Sequence, residues 1–198
     1  RARAWAVADG RIGRPRTFYW QDAGEGLGKW GWRNFKRDAG AGWILDGGVH
    51  FADLFRFHLA AEAEQVTARV RSFEPYRYDE PAERKGAWHV DVEDCSMALI
   101  DFPDDVLVQW TWQGSAPGQG FNKKGIYGSE GCVDWESGLW SRAGKQTKTE
   151  TLVKEYLRSL KKDEREKLFP GGLENSISVE LKDFADAVRG GGTPEVDG

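Results

Sequence analysis

The chain has 198 residues, a formal net charge of −4 and 39% hydrophobic residues, enough for one domain with a substantial core. Its charges are mixed, with no long block of one sign, which excludes the basic footprint of a nucleic-acid binder. No apolar run approaches the roughly 20 residues that span a bilayer, so no membrane segment is predicted and a soluble protein is expected.

Two cysteines, Cys95 and Cys132, are too few and too far apart for a disulfide framework or a paired metal site. They read as small buried hydrophobes and fit a reducing, cytoplasmic setting. Ten tryptophans and 25 glycines stand out more. Indole rings stack on sugars, but large aromatics also fill cores and interfaces.

Arg1 to Ala8 reads as a helix closed by Asp9-Gly10, and Arg16 to Gln21 as a strand. A glycine-dense loop, Gly24 to Gly31, follows, then the basic, aromatic segment Trp32 to Arg37. Gly26, Gly28 and Gly31 satisfy the GxGxxG spacing, but no helix opens after Gly31, so no cofactor cradle is assigned there.

The stretch Ala41 to Leu59 (AGWILDGGVHFADLFRFHL) predicts a largely buried helix. Asp46 and His50 stand four residues apart in it, a spacing that puts a carboxylate and an imidazole on one helical face. Gly47 and Gly48 lie between them. Each glycine costs a helix about 1 kcal/mol relative to alanine, so the pair suggests a close approach by a ligand or another backbone. The competing reading makes the glycines a turn and His50 a core histidine.

Gln65 to Phe73 alternates Val66, Ala68 and Val70 with polar residues, as a half-buried strand does. Glu74 to Gly86 is charged, holds Pro75 and Pro81, and reads as a mobile loop. Val90 to Phe102 predicts one long strand that turns at Pro103 to Asp105 and returns as Val106 to Gln113. Asn122 to Tyr127 and Cys132 to Trp135 flank a tight turn, and a further hairpin is centred on Ala143-Gly144. Leu152 to Leu168 predicts a charged helix, and Asn175 to Arg189 an amphipathic one stopped by Gly190 to Gly192.

The whole predicts a single α+β domain: a mostly antiparallel open sheet of about six strands with helices on one face. No Rossmann unit is present in this order of elements. Trp110 and Trp112, two apart on one strand, share a sheet face that is either core or an interface. Arg33 and Lys36, just ahead of the Asp46 helix, are candidates for contacts to substrate hydroxyl or carboxylate groups; Tyr127 either points into the site or packs. A metal needs at least three converging ligands, and beyond Asp46, His50 and Asp53 no His or Cys pair has ligand spacing, so no metal site is assigned.

From Gly40 onward, GAGWILDGGVHFADLFRFHL resembles the GGGxLxDxGxHxxDLxxxL pattern of the glucose-fructose oxidoreductase, inositol dehydrogenase and rhizopine-catabolism (Gfo/Idh/MocA) family, with Asp46, Gly48, His50, Asp53 and Leu54 on the pattern. Shorter matches stand in family order. Ala8 to Gly13 is similar to its "GxIG" link, Trp32-Arg33 to its "WR", Val92-Glu93-Asp94 to its "VED", Ile126 to Gly131 to its "IxGxxG", and Gly192 to Gly198 to its "GxxPxVDG".

The resemblance implies a C-terminal substrate-binding and oligomerisation domain, cut from a longer chain whose N-terminal Rossmann domain binds NAD or NADP. It implies catalysis by Asp46 and His50 beside a lysine of the missing domain, on a sugar, polyol or related secondary alcohol or ketone. It also implies a homo-oligomer formed through the open sheet face, and inactivity of the isolated fragment. Ala41 departs from the glycine triplet, and the bulky Trp43 after it is expected to narrow the substrate pocket. The alternative from another class is a non-catalytic carbohydrate-binding module, which explains the tryptophans but not the acid-base pair.

Overall fold

A computed structural model describes residues 1–172 and 175–194. The chain divides into two compact units, Arg1–Leu152 and Val153–Gly198.

The first unit opens with α1 (Ala2–Ala8), ended near Gly10, whose φ of 71° is easy only for a residue without Cβ. β1 (Pro15–Ala23) leads through a glycine loop to a 3-10 turn (Gly31–Asn34) and three helices: α2 (Lys36–Ala39), α3 (Trp43–Asp46) and α4 (Gly48–Leu59). There follow β2 (Gln65–Arg71), the short strands β3 (Tyr76–Arg77) and β4 (Trp88–His89), then β5 (Cys95–Phe102), β6 (Val106–Gln113), β7 (Phe121–Gly128), β8 (Gly131–Asp134), β9 (Gly138–Ser141) and β10 (Gln146–Thr147).

Eight strands form one sheet in the order β10-β9-β8-β7-β1-β6-β5-β2, and β3-β4 form a separate hairpin. The α+β class and the mostly antiparallel sheet are as expected; the strand number is not. Eight replaces about six because even the short β9 is held, by pairing with β8 and by Leu139 reaching the core. β1 is central, antiparallel to β7 and parallel to β6. A parallel pair needs a long crossover, which here includes the three helices.

Side chains alternate between the two faces of the sheet. Phe18, Trp20, Ile100, Val108, Trp110, Ile126 and Val133 point one way and form the core with Ala6 and Val7 of α1 and Phe55 of α4. The opposite face carries Tyr19, Met97, Leu99 and Tyr127; Met97 is 52% and Leu99 45% exposed. Trp110 and Trp112 lie on the covered face, which removes them from an interface on the open one.

Four other expectations need correction. The single helix from Ala41 is broken at Gly47 into α3 and α4, and it is not largely buried: Leu45, Val49 and Phe57 are exposed, because only a stripe through Gly48, Phe55 and His58 meets the sheet. β2 is exposed along its whole length, since it is the outermost strand and pairs only with β5. The segment read as a mobile loop, Glu74 to Gly86, holds β3 and a 3-10 turn (Pro81–Glu83), and β3 pairs with β4 just beyond it. The long strand from Val90 begins only at Cys95, because Val92, Glu93 and Asp94 are buried in succession rather than in alternation.

α5 (Thr149–Ser159) starts at the end of the first unit, and its Leu152 belongs to the core of that unit. The helix expected over Leu152 to Leu168 is interrupted after Ser159, and α6 (Lys162–Leu168) follows. In the second unit α7 (Ser176–Gly190) is capped by the Asn175 side chain, which accepts from the Ser178 amide at 3.2 Å, and ends at left-handed Gly191. The last four residues of the Gly192 to Gly198 motif lie outside the described residues. No described helix is long and apolar enough to cross a membrane.

Candidate active site

A cleft of about 50 Å³ opens where the glycine loop, the 3-10 turn after it, α3, β3, the segment ahead of β5 and the end of β6 converge. Its aromatic walls are Trp30, Trp43 and Trp112, its polar groups Arg33, Asn34, Asp46, Arg77 and Glu93. Gly26, Gly28, Gly42 and Gly114 bring backbone to its rim.

The indoles of Trp43 and Trp112 stack at 4.5 Å between ring centroids, with 14° between their planes. That stack explains one glycine of the pair. A Cβ on Gly47 would stand 2.9 Å from the Trp43 ring, and a Cβ on Gly48 2.9 Å from the Trp110 ring. Tryptophans of the protein itself, rather than a ligand, occupy the space beside both glycines.

Arg33 reaches Asp46 from the 3-10 turn. Its Nε donates to both carboxylate oxygens, at 3.1 and 3.2 Å, while its guanidinium lies 4.6 Å from the Trp32 ring centroid. Half-exposed pairs of this kind add only about 0–1 kcal/mol to stability, so the main effect is on where the carboxylate sits.

Glu93 holds the other end of α3. Its buried carboxylate accepts from the amides of Gly42 at 2.8 Å and Ile44 at 3.2 Å. The approach is close enough that a Cβ on Gly42 would lie 2.9 Å from Glu93 oxygens. The neighbouring Asp94 accepts from the amides of Phe73 and Glu74 at 2.9 and 2.7 Å, fixing the chain ahead of β3. There Arg77, buried, donates to the carbonyls of Glu74 and Tyr76. Burial pulls its guanidinium below the ordinary value, opposed by Asp94 and Glu74.

Of the residues singled out in the sequence, the structure brings Arg33, Trp43 and Asp46 together. His50 is exposed on α4, beyond the break at Gly47, and is bonded to neither Asp46 nor Arg33. The core histidine is instead His58, whose Nδ1 lies 2.8 Å from the Leu54 carbonyl among Phe18, Phe57 and Trp135. Burial lowers its pKa to about 4, so it is neutral near pH 7.

Lys36 is exposed at the start of α2, with its backbone amide on Asp91, and does not line the cleft. Tyr127 lies on the open face of the sheet, edge-to-face with Tyr19 at 5.8 Å, away from Asp46. Neither Lys36 nor Tyr127 borders the cleft that holds Asp46.

Gly31 opens one 3-10 turn and no helix, so the GxGxxG spacing forms no dinucleotide turn, although Gly26 and Gly28 do border the cleft. Among the described residues no three His, Cys, Asp or Glu side chains converge as metal ligands.

Trp30, Asn34, Arg77, Glu93 and Trp112 were not assigned to a site from sequence. Glu93-Asp94 carried a signal, two acids directly after Val90 and Val92; Arg77 carried none, standing in a segment that read as loop.

The GFO/IDH/MocA C-terminal domain profile matches residues 2–134. The chain belongs to the GFO/IDH/MocA family. This domain is 30% identical over 203 residues to 1,5-anhydro-D-fructose reductase of Ensifer adhaerens, an alignment covering 100% of this chain and 53% of that protein. The domain therefore spans about half the length of that curated relative.

Among solved structures, an oxidoreductase domain protein from Kribbella flavida superposes with a TM-score of 0.67 at 22% identity, over 98% of this chain and 55% of that one. Levoglucosan dehydrogenase in complex with NADH and levoglucosan gives 0.63 at 22% identity, over 98% and 54%. At such identities the likeness establishes a shared fold.

Proposed function

We propose that the chain is the substrate-binding and catalytic half of an NAD(P)-dependent oxidoreductase, a dehydrogenase acting on a sugar, polyol or related secondary alcohol or ketone. The observation that carries this reading is the cleft in which Asp46, held by Arg33, faces the same space as the stacked Trp43 and Trp112. Flat indole faces suit the apolar faces of a sugar ring, and an ionised carboxylate accepts hydrogen bonds from its hydroxyls. His50, exposed just beyond Asp46, carries an imidazole that can exchange a proton with a substrate hydroxyl.

NAD or NADP, bound mainly by a separate domain, supplies the acceptor or donor of hydride when present. The GxGxxG spacing of Gly26, Gly28 and Gly31 ends here in one 3-10 turn, not in a helix whose N-terminus could receive a pyrophosphate. The fragment alone is then inactive. Assembly as a homo-oligomer would use the open sheet face, where Met97 and Leu99 are exposed, and the whole protein would be cytoplasmic.

The test is a panel of 1,5-anhydro-D-fructose, levoglucosan and inositol with NAD(H) and NADP(H), the full-length protein being compared with its His50→Ala and Asp46→Asn variants. Loss of turnover with sugar binding retained supports the dehydrogenase; unchanged turnover sinks it. A second reading, a non-catalytic carbohydrate-binding module, is favoured by the same indole stack. It predicts sugar binding that depends on Trp112, with no nicotinamide-linked turnover.

A further inference from the structure

We propose that Arg33 and Glu93 form a two-point clamp that positions Asp46, with neither acting as a substrate contact; the inference rests on the reading of Asp46 as a group that touches substrate. Asp46 is the last residue of α3, a helix of four residues. A single turn of helix is not self-supporting, because nucleation costs more than one turn of hydrogen bonds returns. Gly47 then breaks it from α4, so the longer helix transmits no rigidity to Asp46 through a continuous backbone ladder. What holds this turn must come from elsewhere in the chain.

Beside the packing of Trp43 and Ile44 on the core, the structure supplies two polar holds. At the N-terminal end, both oxygens of Glu93 are used on backbone, on Gly42 and Ile44, and Glu93 itself is only 6% exposed. These are amides that a short helix leaves without partners. At the C-terminal end, Arg33 Nε bridges the two oxygens of the Asp46 carboxylate itself, and the ring of Trp32 beside its guanidinium restricts the arm that carries it. The first hold sets where the turn lies, and the second sets how its carboxylate is rotated. Both residues border the cleft, but their contacts run to α3.

The roles are separable from substrate binding by coupling. A substrate contact at Arg33 acts independently of Asp46, whereas a positioning residue acts through it. The decisive measurement is kcat and KM of the full-length protein on the best substrate of the panel, for Arg33→Ala, Glu93→Gln, Asp46→Asn and the two doubles with Asp46→Asn. Glu93→Gln keeps the volume but turns one acceptor oxygen into a donor facing an amide N–H. We expect roughly a 10- to 100-fold loss of kcat in each single variant, with KM changed far less. In the Asp46→Asn background the further loss should be within about twofold. Millimolar methylguanidinium should restore part of the activity of Arg33→Ala and none of Arg33→Ala/Asp46→Asn.

Losses at Arg33 or Glu93 that multiply fully with that of Asp46→Asn, or that fall on KM alone, overturn the clamp while leaving the dehydrogenase reading standing. Unchanged turnover in Asp46→Asn overturns both. A readout independent of turnover is amide hydrogen exchange. Glu93→Gln should accelerate exchange in residues 42–47 with α4 protected as before, and unchanged exchange there overturns the clamp.

Discussion

Alternate residues of the same strands build two unlike surfaces in this domain. Phe18, Trp20, Val108 and Trp110 face α1 and α4 and are buried, while Tyr19, Met97, Leu99 and Tyr127 face away, Met97 and Leu99 being exposed. The difference is not one of side-chain hydrophobicity, since methionine, leucine and tyrosine stand on the bare side. It comes from which side the crossover between β1 and its parallel neighbour β6 runs along, and that side acquires both the core and the cleft. The covered face holds the structure together, while the other keeps apolar side chains such as Met97 and Leu99 exposed.

The largest expected effect contrasts one residue from each face. Trp110→Ala removes a side chain that is 92% buried and packs against Trp43, Phe51 and Phe55, and should cost about 3–5 kcal/mol by urea unfolding. Leu99→Asp should leave the far-UV circular dichroism unchanged while shifting the sedimentation coefficient of the full-length protein to that of a smaller species. Similar unfolding midpoints for the two variants would erase the distinction between the faces.

Next comes the histidine sealed under the covered face. The unfolded chain binds a proton at His58 near the ordinary value of 6.5, the folded chain only at about 4. Between these values the unfolded state holds more protons, so stability is full above pH 6.5 and falls as pH drops toward 4. A difference of this size amounts to about 3 kcal/mol. His58→Leu should flatten the dependence of the urea midpoint over that window, and a slope unchanged by the substitution would place its origin elsewhere.

The smallest effect probes how closely α4 lies on the sheet. Gly48→Ala places a methyl group 2.9 Å from the Trp110 ring and should cost about 1–3 kcal/mol. Trp110→Phe, which withdraws the far part of that ring, should relieve the cost in the double variant. Simple additivity in a double-mutant cycle would mean that the two do not press on each other.

Much of the strand order was legible because period-two alternation marks strands that have one buried face, as in β5 and β6. It also located β2, though that strand is exposed on both faces and not half-buried, and it failed at Val92 to Asp94, which are buried in succession. Asp46 stood out as one member of an acid-base pair, and of the two readings of Gly47 and Gly48 the turn, not the continuous helix, matches the break at Gly47. The space beside Gly47 was partly readable, since Trp43 stands four residues earlier, one helical turn away. The contact between Gly48 and Trp110 was not, because it joins elements far apart in the chain. Arg77 bonds backbone carbonyls, and backbone partners leave no trace in side-chain pattern, whereas Glu93 showed as one of two adjacent acids after Val92.

By itself the sequence determined the α+β class, the approximate positions of most strands and helices, membership in a family through the Asp46 to Leu54 pattern, and three residues of the cleft, Arg33, Trp43 and Asp46. Tertiary structure alone decided which face of the sheet is covered, that Gly48 accommodates the indole of Trp110, and that His58 rather than His50 is the buried histidine. It also decided that Tyr127 lies on the far side of the sheet from α4. The reason is physical. Periodicity records whether a residue shares a face with its neighbours along one element, whereas the identity of what that face meets depends on how distant elements close on one another.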